Sequence, residues 1–183
     1  MSQIIWTIGH STRPIAEFIE LLQAHGIQLL VDVRTTPYSR RNPQFNTDTL
    51  ADSLMKASLQ HQHLPALGGR RRSRPDSVNP GWRNAGFRGY ADYMQTEPFW
   101  QGLEELMRLA ETSPTAIMCA EAVPWRCHRS LIADALVSQS WTVRHIITPT
   151  NSDAHHVTPF ALLKDGLLFY PKSAASDSTP SLF

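Results

Sequence analysis

Apolar runs of strand length alternate with stretches of helical period along most of this chain. Gln3 to Ile8 is a first short apolar run, and it stops at Gly9-His10-Ser11-Thr12. Beyond it Ile15, Phe18, Ile19 and Leu22 recur at helical spacing. That pattern predicts a helix capped by Ser11 or Thr12, with Pro14 in its first turn and Gly26 at its end. Gln28 to Val33 is a second, nearly continuous apolar run, and a polar loop from Arg34 to Asn46 follows. A helix capped by Asn46 or Thr47 then runs to about Ser58. Leu59 to Leu64 alternates poorly and is the weakest strand.

Residues 65 to 86 are rich in Gly, Pro, Arg, Ser and Asn and read as a long irregular excursion. Helical structure is expected again from Arg88 to Gln95 and from Glu97 to Glu111, where Phe99, Leu103, Leu106, Met107 and Ala110 share a face. A strand at 115 to 119, a helix at 128 to 138 and a last parallel strand at 141 to 147 complete the alternation. Strand, helix, strand is the pattern of a parallel crossover, so the expectation is a three-layer α/β domain. It would have a mostly parallel sheet of about four to six strands and helices on both faces. Residues 1–171 are expected to form one such domain, and 172–183 a disordered tail.

In that architecture ligands bind beyond the carboxyl ends of the strands. Four polar or glycine clusters fall there: Gly9-His10-Ser11, Asp32-Val33-Arg34, Leu67-Gly68-Gly69, and the stretch from Cys119 to Arg129. The last is the richest in reactive groups. It holds both cysteines of the chain, Cys119 and Cys127, with Glu121, Arg126, His128 and Arg129, between a strand and a helix. Such a junction aims backbone N–H groups and a positive dipole end at its ligand.

Charge sharpens this picture. The chain's net charge is only +1, yet residues 34 to 90 carry ten cationic side chains against three aspartates, a local excess of +7. Nine of the ten are arginines, whose planar fork suits phosphate and carboxylate, so an anionic small molecule is the expected ligand class. Tyr38, Trp82, Phe87, Tyr90 and Tyr93 are interspersed with these arginines, so nucleic acid is a second class of partner. The plain alternative is that the aromatics pack under the long loop. With two cysteines there is no disulfide framework, and no leader pattern or membrane-length apolar run is present, so a cytoplasmic location is expected.

The same clusters carry a resemblance. Thr7-Ile8-Gly9-His10-Ser11, Asp32-Val33-Arg34 with Pro37-Tyr38-Ser39, Leu67-Gly68-Gly69, Phe87 to Met94, Met118-Cys119-Ala120-Glu121 and Cys127-His128-Arg129 are similar, in order, to the domain of unknown function 488 family. The resemblance implies an α/β domain and brings no reaction with it. A fainter likeness links Leu29 to Arg34 to the aspartate-valine-arginine strand of rhodaneses, and Cys119 to the nucleophile loop of cysteine phosphatases. Arg126 follows Cys119 by seven positions, one more than in that loop, and Glu121 would repel phosphate inside such a cradle.

The candidate chemistry therefore centres on Glu121 as acid/base, assisted by His10 and His128, with Cys119 either a nucleophile or a small buried residue. Ser11, Asp32, Arg34, Gly68, Gly69, Arg126, Cys127 and Arg129 are the candidate ligand contacts, Asp32 and Arg34 being equally readable as a structural ion pair. If the protein is an enzyme, a hydrolase or transferase acting on an anionic substrate is expected. No cofactor is required by the sequence. His10, Cys119, Glu121, Cys127 and His128 are metal-ligand types, but their spacing is unlike a zinc knuckle or ribbon and no metal is assigned. A metal-binding protein stays open as an alternative. His155-His156 reads as surface.

Overall fold

The structure, a computed structural model, describes residues 3–172. Its elements in chain order are β1 (Ile4–Gly9), α1 (Ile15–Ala24), β2 (Leu29–Asp32), α2 (Thr47–Lys56), β3 (Gln60–His63), α3 (Ala85–Tyr93) and α4 (Glu97–Thr112). There follow β4 (Thr115–Cys119), α5 (Arg129–Ser138), β5 (Thr142–Thr148), β6 (Asn151–Ala154), β7 (Leu162–Lys164) and β8 (Leu167–Phe169). The expected tail falls almost wholly on residues 173–183, outside the described part.

Six strands form one sheet in the order β3-β2-β4-β1-β5-β6, every neighbouring pair parallel except β5 with β6. The period of two along each strand divides the apolar residues between the two faces. Ile8, Leu30, Ala116 and Met118 meet α1 and α2 through Phe18, Leu22, Leu50 and Leu54. Ile5, Leu29, Val31, Ile117 and Cys119 meet α3, α4 and α5 through Tyr90, Leu103 and Leu131. The result is the three-layer α/β arrangement that the alternation predicts.

Strand order locates the crevice. The chain leaves β1 toward β2 on one side of the sheet's centre, and leaves β4 toward β5 on the other, although β1 and β4 are neighbours. Connections that diverge from adjacent parallel strands open a gap at their carboxyl ends. Gly9-His10-Ser11 and Cys119-Ala120-Glu121 are the segments on either side of it.

Several local expectations are corrected. Neither Ser11 nor Thr12 caps α1; Pro14 occupies the N-cap without a side-chain bond, and Ser11 takes a left-handed turn at φ 49°. Asn46 stands at the N-cap of α2 but spends its side chain on the Ser39 N–H, at 2.7 Å. Helix α3 starts at Ala85, three residues before Arg88, because the Asn84 side chain accepts from the N–H groups of Gly86 and Phe87. Strand β5 is the last parallel strand, as expected, and an antiparallel β6 that was not expected pairs with its edge. A separate hairpin of β7 and β8 turns at Asp165-Gly166, both residues at positive φ.

The excursion after Leu67 is pinned rather than loose. Buried Asp92 accepts from Ser77 Oγ at 2.5 Å, Asn79 Nδ2 at 2.8 Å and the Arg74 N–H at 2.8 Å. Tyr90 and Tyr93 donate their hydroxyls to the Leu67 and Ala66 carbonyls, so these aromatics pack as the plain alternative had it. Asp92→Ala removes three bonds and leaves the buried Asn79 amide short of an acceptor, so a loss of about 2 kcal/mol or more in unfolding free energy is expected. Limited proteolysis of that variant should cut between residues 68 and 84 under conditions that spare the native protein.

Candidate functional site

A cavity of about 530 Å³ opens at the carboxyl ends of β1, β2 and β4. His10, Arg34, Gly69, Cys119, Glu121, Arg126, Cys127 and His128, all predicted from sequence, line it. Ser11, Asp32, Gly68 and Arg129, predicted as ligand contacts, do not line it. Residues that the sequence reading did not single out as contacts complete the lining, chiefly Thr35, Ser39, Asn42, Arg70 and Asn84. Tyr38 and Phe87 also face it, the two aromatics of the interspersed set that do so.

Asp32 and Arg34 hold each other. The Arg34 side chain grips both carboxylate oxygens, at 2.6 to 3.1 Å, and its Nη2 also donates to the Phe45 carbonyl at 2.7 Å. With Asp32 fully buried and so paired, the structural reading of this couple is the one its geometry favours. His10 stacks on Phe45 with ring centroids 4.2 Å apart; Nδ1 lies 2.8 Å from the Ser11 carbonyl and Nε2 takes an N–H from Arg34 at 3.3 Å. Both nitrogens are occupied. Burial, with help from the Arg34 charge, lowers its pKa to about 4, so the imidazole is neutral at pH 7.

Glu121, the candidate acid/base, is exposed at the rim. Arg126 and Arg70 are exposed beside it, and among the described residues neither forms an ion pair. The arginine run is less free than its sequence suggests. Arg71 lies 3.6 Å over the Tyr93 ring and Arg74 pairs with Asp76 at 2.9 Å.

The floor is built by the two cysteines and His128, with Arg129 packed against them. The Sγ atoms of Cys119 and Cys127 meet within bonding contact, on backbones whose Cα atoms are 7.6 Å apart. The Arg129 N–H, at the start of α5, points at Cys127 Sγ from 3.5 Å. His128 has Nε2 3.0 Å from the Val33 carbonyl, which must receive an N–H, and so presents the lone pair of Nδ1 to Cys127 Sγ at 3.5 Å. Burial lowers the His128 pKa to about 4. Its ring packs so closely on Gly69 that any side chain there would collide with it.

Arg129 is the largest fully buried side chain. Nε donates to Cys119 Sγ at 3.0 Å, Nη1 to Thr7 Oγ1 at 3.2 Å and Nη2 to the Glu121 carbonyl at 2.6 Å. Burial lowers its pKa to about 10. From Thr7 a chain of bonds runs to His145 Nδ1 at 2.7 Å, from His145 Nε2 to His155 Nδ1 at 3.0 Å, and from His155 Nε2 to Asp134 at 2.8 Å. Because a carboxylate accepts, His155 carries its proton on Nε2, His145 carries its own on Nε2, and Thr7 donates to His145. All five side chains are thereby oriented. His155, expected at the surface, is held by Asp134 with its side chain almost wholly buried.

A second cavity, of about 410 Å³, is walled by Trp82, Trp125, Phe160, His145 and His155. Both ring nitrogens of each of these histidines are engaged, so it presents less unspent chemistry than the first.

The model of the family described as a domain of unknown function, DUF488, matches residues 14–136. This chain belongs to the DUF488 family. No curated protein and no solved structure matches it, so the fainter likeness to rhodaneses and cysteine phosphatases rests on the quoted motifs alone. As a DUF488 protein it keeps most of the quoted motifs within the matched span. Gly9 and Ser11 precede that span, yet they adjoin the same site. Among the described residues, no helix is long and apolar enough to cross a membrane.

Two outcomes are expected from this geometry. Gly9 lies against the Glu121 carbonyl that Arg129 holds, with no room for a Cβ. Gly9→Ala should therefore cost about 1–3 kcal/mol in chemical denaturation. His10 and His145 both have pKa values lowered to about 4 by burial, below the ordinary 6.5 that the unfolded chain regains. The unfolded state binds more protons between those values, so stability is at its full value above about pH 6.5 and falls as pH drops toward about 4. The expected slope is about 1.4 kcal/mol per unit for each histidine. Denaturant midpoints at about pH 7.5 and about pH 5 measure it, and equal midpoints would contradict it.

Proposed function

We propose that the cavity is the active site of an enzyme, a hydrolase or transferase, that takes a small phosphate-bearing or nucleotide-like anion. The observation that carries this reading is the placement of Arg70 and Arg126, two exposed cations without carboxylate partners among the described residues, at the mouth of a cavity floored by Cys119, Cys127 and His128. Charge at the mouth attracts and orients an anion, and thiol and imidazole groups on the floor supply the reactive part. Tyr38 and Phe87 on the wall offer apolar faces to a base or sugar. Glu121 keeps the role of acid/base at the rim, where an exposed carboxylate can exchange its proton with solvent. Buried Arg34 and Arg129 shape the walls through their internal bonds instead of clamping the ligand directly.

Thermal-shift titration with inorganic phosphate, nucleoside phosphates and sugar phosphates tests the reading. At least one of these should stabilise the protein, and Arg126→Ala with Arg70→Ala should weaken that ligand by about tenfold or more for each arginine removed. Absence of stabilisation at millimolar concentrations would count against it. Oligonucleotide binding that falls steeply with salt, without any effect of the small anions, would transfer the assignment to a nucleic-acid surface.

A further inference from the structure

The three residues on the cavity floor present three donor atoms to a common point. Cys119 Sγ, Cys127 Sγ and His128 Nδ1 all lie within 4.8 Å of one another. Two thiolates and one imidazole are a donor set for zinc, with Zn–S bonds of about 2.3 Å and Zn–N of about 2.0–2.1 Å. Tetrahedral bonds of those lengths set neighbouring ligand atoms roughly 3.4–3.8 Å apart. Reduced side chains need only let the two sulfurs part from contact to reach that spacing. The backbone leaves room for it, since Cα atoms 7.6 Å apart are wider than the roughly 4.4–6.8 Å that a disulfide usually spans.

Three further features fit an imidazole and thiolates suited to bind a cation rather than simple packing. His128 is fixed as a ligand in advance, because its Nε2–H donates to the Val33 carbonyl and leaves the Nδ1 lone pair facing the sulfurs. Each sulfur is served by an N–H suited to a thiolate, Arg129 Nε on Cys119 at 3.0 Å and the first amide of α5 on Cys127 at 3.5 Å. Arg129 itself is a buried guanidinium with no carboxylate in ion-pair reach among the described residues, Glu121 acting on it only from farther off, and its Nε points directly at the Cys119 sulfur. A thiolate, free or on a metal, would put negative charge on the sulfur that Arg129 Nε points at, in addition to the more distant Glu121 carboxylate.

We infer that Cys119, Cys127 and His128 bind one zinc ion in the reduced protein, with a fourth coordination position open to the cavity. Zinc with two thiolates is neutral, so Arg129 leaves the centre with a charge of +1, and an anion or hydroxide at the open position neutralises it. This deepens the proposed function and rests on it only for what occupies that fourth position. Three protein ligands with one position free is the arrangement of catalytic zinc, in which the metal polarises a bound oxygen or water.

The test uses the full-length, untagged protein under reducing conditions. Elemental analysis should find about one equivalent of zinc, and the metal-stripped protein should take up one equivalent of cobalt(II) with thiolate charge-transfer and tetrahedral visible bands. Zinc should also protect both thiols of the wild-type protein from alkylation. Cys127→Ser should weaken zinc binding by at least about 100-fold. If that variant fails to fold, the cobalt spectrum and thiol protection of the native chain decide alone. A folded, reduced protein that takes up neither metal, or whose thiols are alkylated equally with and without zinc, overturns the inference. Phosphate titration of the metal-stripped protein separates the two readings. Phosphate stabilisation without metal uptake defeats only the zinc site, and stoichiometric zinc without any anion effect leaves the zinc site standing while the anion reading fails.

Discussion

The buried guanidinium of Arg129 is the constraint on which the rest of the site depends. A cation taken out of water must have every N–H directed and some negative charge nearby, or it costs several kcal/mol. Its partners come from three parts of the chain: Thr7 on β1, Cys119 at the end of β4, and the Glu121 carbonyl in the segment beyond. Arg129 is the first residue of α5, so the helix is fastened to the two central strands at the place where their connections diverge. Through Thr7 the demand passes to His145, His155 and Asp134, which explains why two histidine side chains are buried in a row. Proton order along that row is dictated by its ends, since a guanidinium can only donate and a carboxylate accepts.

Electrostatics then sort the cavity's charged groups into spent and available. Asp32 cancels Arg34, His10 is neutral, and Asp76 takes Arg74. What is left over is positive: Arg129 beneath the floor, Arg70 and Arg126 at the mouth, set against the single exposed carboxylate of Glu121. An excess of +7 spread over residues 34 to 90 was a statement about composition. Position matters more than the count, because of the cations in that stretch only the paired Arg34 and the unpaired Arg70 line the opening, and Arg126 joins them from outside it.

The layer architecture was legible because its cause is local. Period-two apolar runs and i, i+3, i+4 spacing are written in consecutive residues, and strand ends follow from them, so eight of the twelve predicted site residues do line the cavity. The misses have physical reasons. Ser11 was read as a cap, but its N–H is claimed by the Ala120 carbonyl, which extends the β1–β4 ladder and turns the residue left-handed. Strand β6 is polar and edge-exposed, with no apolar period to reveal it. The β7–β8 hairpin did leave a mark, Asp165-Gly166 between two Leu-Leu pairs, and that turn signal was the one available to find it. The convergence of Cys119, Cys127 and His128 has no mark of its own in spacing, because it is made by a strand end, a helix start and a ring rotated onto Val33.

That convergence follows from topology more than from the motif. Diverging connections at β1 and β4 leave a gap that neither strand can fill, and the chain crosses it by bringing the Cys119–His128 segment back over the sheet. Two glycines make the crossing feasible: Gly9 admits the Glu121 carbonyl to backbone contact, and Gly69 admits the His128 ring. With those approaches fixed, the first residue of α5 lands where the gap is deepest, and an arginine there reaches β1, β4 and the returning segment at once. A neutral side chain could fill the same space. It could not bind Thr7, Cys119 and the Glu121 carbonyl together, and it would impose no demand for negative charge on Cys119. The surroundings of the Cys119 sulfur are thus a consequence of how the gap is filled, since the Arg129 Nε that points at it belongs to the same cation.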